Sequence, residues 1–124
     1  MGYTTDFHGQ FNLDKALTDE QKQTLEDFAD ERHGGNTQPH EGFPGFWCQW
    51  RPGYDGKSIE WDGGEKFYDY VEWLEYIIKK FIQPWGLTMN GQVEWRGEDP
   101  DDMGLIVVED NVVTTKVGRV TYEE

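Results

Sequence analysis

Tyr3, Thr5, Phe7, Phe11 and Leu13 all fall on odd positions in the first stretch of the chain. Successive side chains of a strand alternate between faces, so this spacing predicts a strand with one face buried, with Gly9 as a candidate bulge. Leu17 to Gln21 then opens a helix. Thr18 is placed to accept from the backbone N–H of Gln21, and the Gln21 side chain to reach back, a capping box. Leu25, Phe28 and Ala29 make a narrow apolar stripe on this helix, and Gly34-Gly35 ends it. Trp47 to Arg51 and Lys57 to Trp61 predict two strands around the turn chemistry of Pro52-Gly53-Tyr54-Asp55-Gly56. The clearest element follows. Phe67, Tyr70, Val71, Leu74, Ile77, Ile78 and Phe81 recur at three- and four-residue spacing, which predicts an amphipathic helix over 65–82, stopped by Pro84. Asn90-Gly91 reads as a turn and Gln92 to Arg96 as a strand. Gly97 to Gly104 reads as an acidic loop, and Leu105 to Glu109 with Val112 to Val117 as a hairpin about Asp110-Asn111.

The order strand, helix, strand, strand, helix, strand and terminal hairpin predicts an α+β fold. Its sheet is mainly antiparallel with two helices on one face, and the ferredoxin-like split βαβ arrangement is the natural candidate. A chain of 124 residues fits one domain. Residues 33–46, rich in Gly and Pro and without periodicity, read as a mobile surface loop, and 118–124 as a frayed end.

Charge changes this picture. Only 35% of the residues are hydrophobic, yet seven Phe, six Tyr and six Trp supply large buried areas, so a compact core is expected despite a mean hydropathy of −0.85. Net charge is −14, spread evenly: 12 acids and 5 bases in residues 1–64, 13 and 6 in residues 65–124. Such a chain lacks the lysines and arginines that neutralise phosphates or anionic lipid, so neither nucleic acid nor a membrane surface is an expected direct partner. One cysteine, Cys48, excludes an internal disulfide and suits a reducing cytoplasmic setting. Met1 to Gln10 shows no charged-then-apolar pattern, so no secretion signal is expected, and no apolar run has the length of a membrane helix.

Within that charge, the first helix is unusual. At about 100° per residue, Asp19, Glu20, Glu26, Asp27, Asp30 and Glu31 share an arc of roughly 140°, opposite Leu25 and Phe28. Six carboxylates over about 20 Å approach the phosphate spacing of a DNA strand. Like charges at i, i+4, as in Glu26–Asp30 and Asp27–Glu31, cost a few tenths of a kcal/mol each, and only Lys22 offsets them. The face reads either as a solvated, solubilising surface or as a decoy for a nucleic-acid-binding protein. A second cluster, Glu98, Asp99, Asp101 and Asp102 around Pro100, lacks the spacing of a calcium loop and reads as turn chemistry that extends the acidic surface. Trp73 and Tyr76, off the apolar stripe of the second helix, are candidate exposed anchors for a partner.

Catalysis has little support. His8, His33 and His40 pair with no nucleophile in a recognisable frame, and Cys48 sits among bulky aromatics as an inert thiol would. No metal-ligand spacing or phosphate-binding loop is present, and Trp61-Asp-Gly-Gly-Glu65 is only a faint echo of the latter. No catalytic residue, metal or cofactor is therefore expected. Gly45-Phe-Trp-Cys-Gln-Trp50, the stretch Trp61 to Glu75, Asn90-Gly-Gln-Val-Glu-Trp-Arg-Gly-Glu-Asp-Pro-Asp-Asp102 and Ile106 to Asn111 together resemble a family of small uncharacterised proteins of bacterial and bacteriophage genomes. The resemblance covers most of the chain outside 33–46 and brings no activity or site residues with it. It implies a small protein that phages carry, of the kind that acts on host machinery by stoichiometric binding. The leading expectation is thus an acidic inhibitor in the host cytoplasm, of anti-CRISPR or anti-restriction type, that covers a basic surface of a host protein. The alternative is a regulatory or metabolic domain with a small-ligand cleft between the sheet and 33–46, lined by Trp47, Trp50 and Trp61.

Overall fold

The computed structural model of the chain describes residues 3–118. Six strands and two helices alternate as β1 (Asp6–Leu13), α1 (Asp19–Asp30), β2 (Trp50–Pro52), β3 (Ser58–Trp61), α2 (Tyr70–Ile77), β4 (Met89–Arg96), β5 (Met103–Glu109) and β6 (Val112–Val117). The strands form one sheet in the order β2-β3-β1-β4-β5-β6, every neighbouring pair antiparallel. This is the α+β architecture that the hydrophobic pattern predicts. Strand β3 lies between β1 and β2, and β1 lies between β3 and β4, so the two helical passages interleave.

Period-two alternation puts Phe7, Phe11 and Leu13 of β1 on the same face as Met89, Val93 and Trp95 of β4 and Ile106 and Val108 of β5. Leu25 of α1 and Trp73, Leu74 and Ile77 of α2 join these residues in one core, so both helices cover that face. The opposite face carries exposed His8, Gln10, Asn12 and Gln92. Asp110 (φ 48°) and Asn111 (φ 69°) are both left-handed, the geometry of the tight β5–β6 turn.

Four local expectations are corrected. Asn90-Gly91 is not a turn. Both residues lie inside β4, where Gly91 (φ 138°) pairs with Phe11 on one side and Val108 on the other. A side chain there would meet the Gln10 carbonyl at 3.0 Å, so glycine lets the two backbones approach. Gly9 is no bulge, since it holds the register opposite Val93. Residues 65–69 do not extend the second helix. Lys66 (φ 57°) and Asp69 (φ 58°) adopt left-handed backbone, and α2 begins only at Tyr70, its last turn widening into a π-helix over Ile78–Ile82. Strand β2 is confined to Trp50–Pro52, leaving Trp47 to Gln49 in a loop.

The segment 33–46 is docked. His33 is buried, its Nε2 donating to the Phe28 carbonyl at 2.9 Å, and Gly34 bridges to Pro39. The His33 ring stacks on Phe43 at 4.7 Å. The end expected to fray lies, from 119 onward, outside the described residues.

Candidate functional site

Helix α1 begins with the expected capping box: Gln21 N–H donates to Thr18 Oγ1 at 3.1 Å, and Thr18 N–H to Gln21 Oε1 at 3.0 Å. Burial of Leu25 and Ala29 turns its other side outward. Asp19, Glu20, Asp27, Asp30 and Glu31 are exposed, and Glu26 is half-buried. Two of these six carboxylates have cationic partners. Lys22 lies 3.8 Å from Glu26, and Arg51 of β2 donates to Asp30 at 2.7 Å. Asp27 accepts from Gln23 at 2.8 Å. The ridge therefore faces outward with Asp19, Glu20, Asp27 and Glu31 outside any ion pair among the described residues.

The Glu98–Asp102 loop is a separate patch. Asp102 accepts from Tyr3 Oη at 2.8 Å and from Trp95 Nε1 at 2.9 Å, while Glu98 accepts from the Thr4 N–H. Two of its carboxylates thus tie the start of the chain to the β4–β5 connection, leaving Asp99 and Asp101 exposed. Helix α1 meets the β2 edge, and β4 stands three places away, roughly 15 Å at the usual strand spacing. The loop does not continue the ridge.

Trp73 and Tyr76 are not exposed anchors. Trp73 is fully buried, and Tyr76 is half-buried, its ring stacked on Phe28 at 5.6 Å and 11°. On an isolated helix they sit off the apolar stripe. In the fold, Phe28 of α1 and Phe43 of the 33–46 segment close over that side.

A cleft of about 580 Å³ lies between the 33–46 segment and the 62–69 loop. One wall is Phe46 and half-exposed Trp47. The Arg32 guanidinium lies 4.4 Å from the centre of the Phe46 ring and is fixed by the carbonyls of Gly34 and Gly35. The other wall is Lys66, Tyr68 and Asp69, presented by the two left-handed residues. Gln49 closes the inner end: its Nε2 donates to the Glu65 carbonyl at 2.8 Å, and its Oε1 accepts from Trp61 Nε1 at 2.9 Å. The floor is Gly45, and next to it the indole Nε1–H of Trp73 is buried with no acceptor. A Cβ on Gly45 would stand 3.2 Å from that nitrogen and 3.2 Å from Asp69 Oδ2.

The cleft shares Trp47 with the expected one. Trp50 and Trp61 do not line it: Trp50 is buried and donates to the Tyr70 carbonyl at 2.8 Å. Arg32, Lys66, Tyr68 and Asp69 went unnoticed because helical periodicity runs through 65–69 and hides the two backbone reversals. The one sequence hint was Gly63-Gly64 ahead of them.

Burial pushes the Cys48 thiol up to about 12, so no thiolate forms near neutrality. Among the described residues no three His, Cys, Asp or Glu side chains converge as metal ligands would, and no helix is long and apolar enough to cross a membrane. Comparison with protein-family models, curated proteins and solved structures gave no match to this chain.

Proposed function

We propose that the chain is a binding domain without catalytic activity, and that its ligand site is the cleft floored by Gly45. The interleaved β1–β4 unit is then a ferredoxin-like module, extended by β5 and β6, that holds the two cleft-forming loops at one end of α2. The observation carrying this reading is the cleft itself, about 580 Å³, with half-exposed Trp47 on its wall. Backbone strain supports the same location, since left-handed Lys66 and Asp69 flank the cleft and strain concentrates at binding sites.

The test is fragment titration read by NMR on the indole N–H resonances, assigned through Trp47→Phe and Trp73→Phe. Planar polar fragments at millimolar concentration should move the Trp47 and Trp73 signals together, and Gly45→Leu should abolish the shifts while the rest of the spectrum persists. Shifts that survive the blocked cleft, or none from a broad library, would refute the reading.

A second reading has its own support in the outward carboxylates of α1: a decoy for a basic, nucleic-acid-binding host protein, in keeping with the resemblance to proteins of bacterial and phage genomes. Close charge complementarity governs association rate and its salt dependence. Asp27→Lys, Asp30→Lys and Glu31→Lys together should abolish low-salt capture of such a partner. Capture with an unchanged salt slope would count against the ridge.

A further inference from the structure

We propose that strand β6 is a dimerisation edge, and that it pairs antiparallel with β6 of a second copy about a twofold axis at Thr115. This interface is independent of the cleft. The six-stranded sheet ends on β2 at one side and on β6 at the other. An unpaired edge invites a further strand, and β2 is closed to one. It has three residues, ends in Pro52, and lies against α1, whose Asp30 holds Arg51. Strand β6 has six residues, Val-Val-Thr-Thr-Lys-Val, with no proline, and keeps an unbroken register with β5. Val112 and Val117 at its ends are 62% and 76% exposed.

The hydrogen-bond parity of the β5–β6 hairpin decides what the edge offers. Glu109 and Val112 flank the two-residue turn and form a bonded pair, and at the other end Gly118 N–H donates to the Met103 carbonyl at 2.8 Å. Bonded pairs alternate along the ladder. Val112, Thr114 and Lys116 therefore turn their N–H and C=O groups to β5, while Val113, Thr115 and Val117 turn theirs outward. These outward groups have no partner among the described residues. Centring two copies on Thr115 sets Thr115 opposite Thr115 and each Val113 opposite the other copy's Val117. All the outward groups then pair, in about six bonds. A slip of one residue sets outward residues against inward ones. A slip of two toward the turn sets Val117 opposite Asn111, whose N–H is already spent on the Met89 carbonyl. Charge favours a second copy as the occupant. Residues 112–117 carry Lys116 and no acid, in a chain of net charge −14. The α1 ridge lies against β2, five strands away, roughly 24 Å at the usual spacing. Two copies thus meet where their like charge is thinnest, whereas a basic partner would be drawn to the ridge. A twofold contact also closes on itself, leaving only the blocked β2 edges at the two ends of the joined sheet.

The experiment is sedimentation velocity on the full chain from about 1 μM to about 1 mM. A dimer should form within that range and grow no further, and added salt should tighten it by screening the like charges. Amide exchange reads the seam. The N–H groups of Val113, Thr115 and Val117 should be unprotected in the dilute monomer and gain about tenfold protection or more in the dimer, while Thr114 and Lys116 are protected in both. Thr115→Pro deletes only an outward N–H, which an edge strand tolerates, and Thr115→Asp sets two carboxylates face to face on the axis. Each should weaken the dimer by about tenfold or more, with the monomer's fold intact by circular dichroism. A monomer at every concentration overturns the proposal, as does a dimer that survives both substitutions or lacks the alternating protection. If the chain stays monomeric while an alternating Thr-Val hexapeptide protects the three outward amides, the edge takes a foreign strand and the second copy is overturned as its occupant.

Discussion

The buried thiol of Cys48 makes stability depend on alkaline pH in a way that the structure quantifies. The side chain is 1% exposed, and its Sγ has only a weak contact with the Trp50 carbonyl at 3.7 Å. Burial, reinforced by the charge of Asp62, pushes the thiol from its ordinary 9.0 up to about 12. Between those values the folded state keeps a proton that the unfolded chain releases, so stability must fall as pH rises. At about pH 10.5 the unfolded thiol stands about 1.5 units above its own pKa, and 1.36 kcal/mol per unit gives a loss of about 2 kcal/mol. Urea denaturation at about pH 8 and pH 10.5, on the parent and on Cys48→Ala, isolates this contribution. The variant loses some packing at both pH values, but its alkaline loss should be smaller by about 2 kcal/mol. The Tyr70 hydroxyl, pushed up to about 12 by burial and then by the charges of Asp102 and Glu72, contributes equally to both proteins and cancels. Equal alkaline losses in the two would refute the reasoning, because they would mean that the thiol titrates alike folded and unfolded.

Thr18→Ala removes the acceptor for Gln21 N–H and the anchor of the reciprocal bond, and should cost about 1 kcal/mol by urea denaturation with α1 otherwise intact by circular dichroism. Gly91→Ala should cost about 1–3 kcal/mol or more, since it combines a φ of 138° with a contact of 3.0 Å to the Gln10 carbonyl. Gly86→Ala has a φ of 74° but open space around its Cβ, and should cost only about 1 kcal/mol. Equal losses at the two glycines would show that the close approach of β1 and β4 is not what position 91 requires.

Hydrophobic spacing alone determined the element order, the buried face of the strands, the Thr18 cap and the outward turn of the α1 carboxylates. Each depends on neighbours within one or two turns, where a period of 2 or 3.6 decides which side meets the core. The aromatic content was legible in the same way, but its placement was not. Trp73 and Tyr76 sit off their helix's apolar stripe, and only the docking of Phe28 and Phe43 over that side buries the one and half-covers the other. Asn90-Gly91 carries turn chemistry that two flanking strands overrode by pairing both edges of β4. The cleft belongs wholly to the tertiary structure. Its walls come from positions 32–47 and 65–69, which meet because the segment after α1 packs against the start of α2. Its floor depends on a glycine beside an indole 28 positions along the chain, a proximity with no local period to announce it.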